Sequence, residues 1–171
     1  MEYELDKALK DMSIEDDKPI VLARGIALTK DQFQFFFDSE SELTTVLETG
    51  AWTFNDWSIT LERWVEKPPD DYLKIIPIWI RLRNIPVNFN TADTIKEIAA
   101  HIGQVSLVAF DPLKPLSKGY VRVKVLFDVN KPLKNFRELQ IPSGEVINIG
   151  VEYERIRRRC YQCQRLTHDR E

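Results

Sequence analysis

Residues 78–83 read Ile-Trp-Ile-Arg-Leu-Arg, and their aliphatic residues alternate strictly with tryptophan and arginine. A period of two is typical of a β-strand that buries one face. Ile78, Ile80 and Leu82 form the apolar face. We therefore predict a strand whose opposite face is cationic and aromatic.

The residues that follow extend this strand into a domain. A helix is predicted to begin near Asn90 or Thr91 and to end with Gly103 as its C-cap, and its apolar face consists of Ile95, Ile98, Ala99 and Ile102. Strands are predicted over 104–110, 120–127 and 146–156, and a short second helix over 130–139. The order β-α-β-β-α-β over residues 76–156 predicts an α+β fold with an antiparallel sheet backed by two helices.

A smaller unit is predicted before this domain, over residues 21–66. Three phenylalanines, Phe33, Phe35 and Phe37, alternate with glutamine and are expected to face a core. The alternative is a stacking platform for nucleic-acid bases. Residues 67–75 contain two consecutive prolines and are predicted to be a linker.

The unit over residues 21–66 has the outline β-α-β. Its helix is predicted from Ser39, which forms a capping-box pair with Glu42, to Gly50. Its last strand is predicted from the alternation between Trp57 and Val65.

The C-terminal tail, residues 157–171, contains a metal-ligand spacing. Cys160, Cys163 and His168 follow the C-x2-C-x4-H pattern of a zinc knuckle, and this spacing aims both thiolates and an imidazole at one ion. A redox pair or two unremarkable thiols are the alternatives for the cysteines. The sequence reaches Glu171 before the fourth ligand of the pattern. We therefore predict an incomplete site that binds zinc weakly or not at all, and mobile residues beyond Ile156.

Charge is distributed unevenly along the chain, although the net charge is only −3. Residues 1–20 are acidic and are predicted to be a flexible leader. Residues 155–170 carry six arginines against Asp169 alone, and such a patch binds phosphates that the whole chain would repel. Both cysteines belong to the knuckle spacing, and no apolar run reaches the ~20 residues of a membrane span. The cytosol or the nucleus is therefore expected, with the nucleus slightly favoured.

The second domain resembles an RNA-recognition motif (RRM). Lys118, Gly119 and Tyr120 match the opening of its RNP1 pattern, whereas Arg122 and Val125 replace later aromatics. Residues 80–85 resemble RNP2, with arginine where an aromatic is usual. The resemblance implies base binding on the sheet, and a sheet that merely carries charged outward residues is the alternative.

The whole chain from about Arg24 resembles a plant family derived from LINE retrotransposons, with gag/ORF1-like character, in which a DUF4283 domain precedes a CCHC zinc knuckle. The resemblance rests on Gly25–Phe37, Gly50–Trp52, Arg63–Val65, Pro77–Pro86, Asp128–Leu133 and Tyr153–His168. Members usually carry a further β-α unit before the segment equivalent to Arg24, and we expect the first domain of this chain to lack it. Gln164 and Thr167 occupy positions where members commonly have glycine. The family resemblance implies nucleic-acid binding.

We expect a non-catalytic protein that binds single-stranded RNA or DNA, because no phosphate loop, paired nucleophile and base, or carboxylate cluster is evident. His101 is expected to be a surface residue in the last turn of its helix. The residues expected to contact nucleic acid are Arg81, Arg83, Tyr120, Arg122 and Lys124 on the sheet, and Arg155, Arg157, Arg158, Arg159, Tyr161 and Arg165 towards the tail. A domain that binds a protein partner, with a basic nuclear-import tail, is the alternative function.

Overall fold

In a computed structural model, the structure describes residues 24–50, 52–113 and 119–168. The predicted leader, residues 1–20, lies outside the described residues. The chain divides between Leu73 and Lys74 into two compact units. This boundary lies inside the segment predicted as a linker. No helix within the described residues is long and apolar enough to cross a membrane.

The first unit consists of two hairpins separated by a helix. Strands β1 (Arg24–Ala27) and β2 (Phe33–Phe36) pair antiparallel, helix α1 spans Glu40–Thr49, and β3 (Thr53–Phe54) pairs with β4 (Trp57–Ser58). The Ser39 side chain accepts a hydrogen bond from the backbone N–H of Glu42 at 3.2 Å, which confirms the predicted N-cap. Gly50 ends the helix at φ 78°, as predicted.

Two expectations for this unit are wrong. Phe33 is 41% exposed, so the phenylalanine row does not lie wholly in a core. The strand predicted from Trp57 to Val65 forms only at its first two residues, and side chains beyond them bind the backbone of Leu73. Thr60 donates from its hydroxyl to the Leu73 carbonyl at 3.0 Å, and a Glu62 carboxylate oxygen accepts from the Leu73 N–H at 2.9 Å.

The second unit is a five-stranded antiparallel sheet with the strand order β6-β7-β5-β9-β8. Its strands are β5 (Ile75–Arg83), β6 (Gln104–Ala109), β7 (Tyr120–Asp128), β8 (Phe136–Gln140) and β9 (Val146–Tyr153), and helix α2 spans Ala92–Ala100. A single 3-10 turn, Val87–Phe89, precedes α2. The alternation predicted for β5 is confirmed, since its buried and half-buried residues alternate along the whole strand.

The core of the second unit lies between the sheet and α2. Alternate residues of β5 and β7 point into it, and Ile95, Ile98 and Ala99 of α2 pack against them. Gly103 is not the C-cap of α2 as predicted, because His101 takes that position. A Cβ on Gly103 would lie 2.6 Å from the carbonyl oxygen of Leu126, so this glycine permits a close approach of backbone to strand β7.

The helix predicted over 130–139 is absent. Residues 129–135 are an irregular connection, and residues 136–140 form strand β8, which pairs with β9. The second unit is therefore α+β, but a single helix backs its sheet. Leu133 from the irregular connection is buried in the core, in part of the space where a second helix was expected.

Candidate metal centre and nucleic-acid interface

The predicted metal ligands converge in the structure. The thiol sulfurs of Cys160 and Cys163 and a ring nitrogen of His168 all lie within 4.8 Å of one another, and Cys163 Sγ is 3.4 Å from His168 Nε2. Tetrahedral zinc with bonds of about 2.0–2.3 Å separates its ligands by about 3.3–3.8 Å. The three side chains therefore fit zinc after small adjustments.

A turn of backbone holds these ligands together. The Gln164 N–H donates to the Cys160 carbonyl, and the Cys160 N–H donates to the Arg165 carbonyl, both at 2.9 Å. The Thr167 hydroxyl lies 3.1 Å from Nδ1 of His168, so it is placed to orient the imidazole from outside the metal site. The backbone that carries the ligands is thus fixed by bonds within the knuckle.

The knuckle is docked on the sheet domain through hydrogen bonds and apolar contacts of residues 157–168. The Leu133 N–H donates to the Gln164 carbonyl at 2.8 Å, and Leu166 belongs to the core of the second unit. Cys160 is buried as well. The knuckle and the irregular connection together cover the part of the sheet for which a second helix was predicted, so apolar burial holds the tail in place.

The sheet residues predicted to bind nucleic acid share one open face. The strand register places Arg81 beside Arg122, Arg83 beside Tyr120, and Lys124 beside Trp79, a residue that the sequence marked as part of the aromatic face. These neighbours alternate with the buried residues of β5 and β7. The structure therefore brings all five predicted sheet residues together.

Two glutamates that sequence reasoning missed neutralise much of this face. Glu154 accepts hydrogen bonds from Arg81 Nε at 2.7 Å and from Arg122 Nε and Nη2, both at 2.8 Å. Glu152 accepts from Arg83 Nε at 2.5 Å and from its Nη2 at 3.2 Å. The arginines predicted to bind phosphate are therefore already paired with carboxylates.

The same pairing lowers the pKa of both carboxyls. For Glu152, the hydrogen bonds from Arg83 outweigh desolvation and hold the pKa below its ordinary value. Burial raises the pKa of Glu154, but hydrogen bonds and charge from Arg122 and Arg81 together outweigh it and leave that pKa lowered. Both groups are therefore carboxylates at neutral pH.

The aromatic rings of the open face are also occupied. The guanidinium carbons of Arg81 and Arg83 each lie 4.9 Å from the centre of the Tyr120 ring, and that of Arg122 lies 4.3 Å from the Trp79 ring. These cation–π contacts cover ring faces on which a base would stack. The sequence did not reveal the pairing of these arginines with Glu152 and Glu154, because it depends on β9 lying beside β5 in the sheet.

The basic residues of the tail lie elsewhere, on the segment between β9 and the knuckle. Arg157, Arg158 and Arg159 border a groove between the knuckle, the end of α2 and strand β8, and Tyr161 borders it with a side chain that is 88% exposed. Arg155 precedes this segment with a left-handed backbone, φ 61°. Arg165 lies within the knuckle turn, where its carbonyl binds Cys160. Arg157 and Arg159 also border a second, smaller cavity together with Arg83, so the tail arginines adjoin the open sheet face in the second unit.

Comparison with known proteins supports the metal centre. Residues 127–171 match a family model described as a zinc knuckle, and the match begins in β7 and so includes the β8–β9 hairpin on which the knuckle is docked. No solved structure matches the chain. The chain is 32% identical over 129 residues to the uncharacterised protein At4g02000 of Arabidopsis thaliana, which covers 75% of this chain and 41% of that protein. The chain therefore spans less than half the length of this relative. It carries a zinc knuckle of the CCHC type and has a plant homologue.

Proposed function

We propose that the protein binds nucleic acid, with a preference for single-stranded RNA or DNA, and catalyses no reaction. One observation carries this proposal: the docked knuckle holds Arg157, Arg158, Arg159 and the exposed ring of Tyr161 on one surface. Arginine supplies affinity for phosphates, and an exposed aromatic ring supplies a stacking surface for an unpaired base. A duplex keeps its bases stacked and would use only the phosphate contacts.

Zinc has a structural part in this proposal. Cys160, Cys163 and His168 would hold the ion, and bound zinc cross-links the turn that carries Tyr161. The pattern places a fourth ligand five residues after His168, at a position outside the 171 residues of the sequence. These 171 residues supply three ligands, and three protein ligands leave one coordination position of a tetrahedral zinc ion open.

The finer parts of the proposal concern the sheet and the family. We propose an RRM-like relationship for β5, α2, β6, β7 and β9, in which β8 replaces the second helix. The open face then contributes little affinity, because its arginines are paired with Glu152 and Glu154. The resemblance to the plant DUF4283 family, with its retrotransposon origin, supports a nucleic-acid ligand, and a nuclear or cytoplasmic location follows from such a ligand.

The proposal is tested by replacing Arg157, Arg158 and Arg159 with glutamine together. We expect weaker binding to every single-stranded sequence alike, because phosphate contacts position a strand without specifying it. The matched control replaces the exposed Lys30, Lys67 and Lys96, which lie away from the knuckle in sequence, and removes the same charge.

The measurement is a fluorescence anisotropy titration of labelled single- and double-stranded RNA and DNA, at two salt concentrations, with and without zinc. The log–log salt slope should change by about 0.7 for each single-strand phosphate that the variant no longer neutralises. Equal affinity of the two triple variants at low salt would contradict the proposal. Absence of binding to every nucleic acid would leave the protein-partner function as the better account.

A further inference from the structure

A groove lies beneath the knuckle, at the place where strand β8 replaces the predicted helix. Its volume is about 1190 Å³. Because β8 and an irregular connection replace the predicted helix, α2 and the knuckle stand apart, with β8 and β9 between them. The groove is bordered by Ile98 of α2 and its C-cap His101, by Leu139 and Ile149 of the two strands, and by the knuckle. It exceeds the roughly 300–1,000 Å³ of pockets that hold one drug-sized ligand.

The border of the groove is strongly cationic although the chain is acidic. Five cationic side chains border it, against two carboxylates: Lys134, Arg137, Arg157, Arg158 and Arg159, against Glu97 and Glu138. A concave surface with one dominant sign of charge concentrates ligands of the opposite sign. The ligand is therefore expected to be polyanionic.

Two of these cations are held in place by bonds to the groove itself. Arg137 donates from Nη2 to the His101 carbonyl at 2.8 Å, which ties β8 to the end of α2. Arg159 donates from Nη1 to the Asn135 side-chain oxygen at 3.0 Å, which ties the basic segment to the connection before β8. Charges fixed in this way need little ordering when a ligand arrives.

The groove also presents groups suited to bases. Tyr161 borders it, and Gln164 donates from its side-chain amide to the Tyr161 carbonyl at 2.8 Å, which fixes the backbone behind the ring. The side-chain amide of Asn135, whose oxygen accepts from Arg159, offers N–H donors, and Leu139 offers an apolar surface. Phosphate affinity, a stacking ring and an amide together favour unpaired nucleotides over an acidic peptide, which would use only the charges.

We propose that this groove binds a short run of unpaired nucleotides, with phosphates on Lys134 and the arginines of residues 157–159 and a base against Tyr161. The inference rests on the proposed function and deepens it. It extends the binding surface from the knuckle to α2 and β8, and it assigns Lys134 and Asn135 to the site.

The decisive comparison is between Lys134→Gln and Lys131→Gln. Both lysines are exposed and lie in the same connection before β8, but only Lys134 borders the groove. The hydrogen bonds of Lys134 to the Tyr153 hydroxyl use its backbone and survive the substitution. The probes are oligouridylate and oligothymidylate of about ten nucleotides, a duplex of equal length and a polyglutamate peptide.

We expect Lys134→Gln to weaken single-strand binding by about threefold to fivefold at low salt, and Lys131→Gln to leave it unchanged. Glu97→Gln, which removes a carboxylate from the groove, should strengthen binding by a similar factor. Circular dichroism and thermal unfolding establish that all three variants are folded. The two oligonucleotides show whether RNA or DNA is preferred.

The outcomes separate the two proposals. If the parent chain binds no nucleic acid, the proposed function and this inference both fail. If the parent chain binds nucleic acid but Lys134→Gln and Lys131→Gln change the affinity equally, the groove is excluded as the binding site and the proposed function stands. Tighter binding of polyglutamate than of single strands, abolished in Lys134→Gln, would replace the nucleotide ligand by an acidic protein.

Discussion

Gln164 has a backbone conformation that glycine adopts at lower cost. Its φ of 59° is in the left-handed region, where a Cβ costs about 1–2 kcal/mol. The sequence already placed Gln164 where members of the DUF4283 family commonly have glycine. The residue keeps two useful bonds despite this cost, since its carbonyl accepts from Leu133 and its side chain donates to the Tyr161 carbonyl.

Two substitutions separate the backbone cost from the side-chain bond. Gln164→Ala loses the amide bond and keeps the unfavourable backbone, whereas Gln164→Gly loses the same bond and relieves the backbone. We expect the glycine variant to be more stable than the alanine variant by about 1 kcal/mol. Thermal unfolding with saturating zinc measures the difference. Equal stabilities would show that the turn relaxes without glycine.

Glu154 controls the charge of the open sheet face. Its side chain is 15% exposed and accepts hydrogen bonds from two arginines. Glu154→Gln should leave Arg81 and Arg122 without a carboxylate, which lowers stability by about 1 kcal/mol and raises single-strand affinity. Glu145→Gln, an exposed residue in the turn before β9, makes the same charge change as a control. If both variants raise affinity equally, the open face contributes nothing beyond net charge.

The same carboxylate makes stability depend on acid pH. A depressed pKa in the folded state contributes stability that is present above the unfolded value of about 4.5 and is lost as pH falls through the folded pKa. We therefore expect the free energy of unfolding to drop below about pH 4.5, and to drop less in Glu154→Gln. Urea unfolding at several pH values measures this. Parallel profiles for the two proteins would show that other carboxyls dominate.

At the scale of elements, the knuckle behaves as part of the sheet domain. Leu166 is only 8% exposed and lies in the same core as Leu133. Leu166→Ala should cost about 2–4 kcal/mol, and it should also weaken zinc binding because the ligand turn loses its apolar anchor. Leu113, which is 92% exposed, provides the control. The measurements are thermal unfolding with and without zinc and a competitive chelator titration.

Removing zinc tests whether the knuckle and the sheet unfold together. Because an ion that binds only the folded state stabilises whatever folds with it, chelation should lower the unfolding temperature of the whole second unit. In the contrary outcome, chelation leaves the unfolding temperature of the sheet unchanged while Leu166→Ala binds zinc normally. That outcome would show that the knuckle folds independently of the sheet.

The elements that the sequence predicted well are those whose packing is periodic. Strands β5 and β7 alternate strictly, and α2 combines an apolar stripe with the side chain of Thr91 as its N-cap. In these elements local propensity and burial demand the same conformation. The metal ligands were also predictable, because three residues at a fixed spacing suffice to define them.

The failures occur where tertiary contacts override a local pattern. Leu133, Phe136 and Leu139 recur every three residues, which is compatible with a helix, yet Leu133 fills the core and Phe136 pairs with Gly150 in a strand. The knuckle occupies part of the space for which that helix was predicted, and no local signal shows that residues 160–166 return to cover this region. The ion pairs of Glu152 and Glu154 depend likewise on strand order, which periodicity does not give.

For the molecule as a whole, the core is unevenly divided between the two units. Every residue of the main buried cluster lies between Ile76 and Leu166. Among residues 24–50 and 52–73, the buried apolar side chains are Val46 and Trp52, and the Trp52 Nε1–H donates to the Val46 carbonyl at 3.0 Å. The open sheet face, the groove and the metal ligands all belong to the second unit.

Because the buried core lies mainly in the second unit, we predict that residues 74–171 fold and bind nucleic acid without the first unit. A core built from a complete five-stranded sheet, α2 and the knuckle gives a fragment of this size enough buried apolar surface for a cooperative transition, whereas the described residues of the first unit, 24–50 and 52–73, bury little. We expect the fragment 74–171 to unfold within a few degrees of the full chain and to bind single strands at least as tightly, because the acidic residues of the leader are removed.

Calorimetry and the same anisotropy titration measure both quantities in zinc-containing buffer. Loss of the cooperative transition in 74–171 would show that the first unit stabilises the sheet, and a folded fragment with weaker binding would assign part of the nucleic-acid surface to residues 1–73.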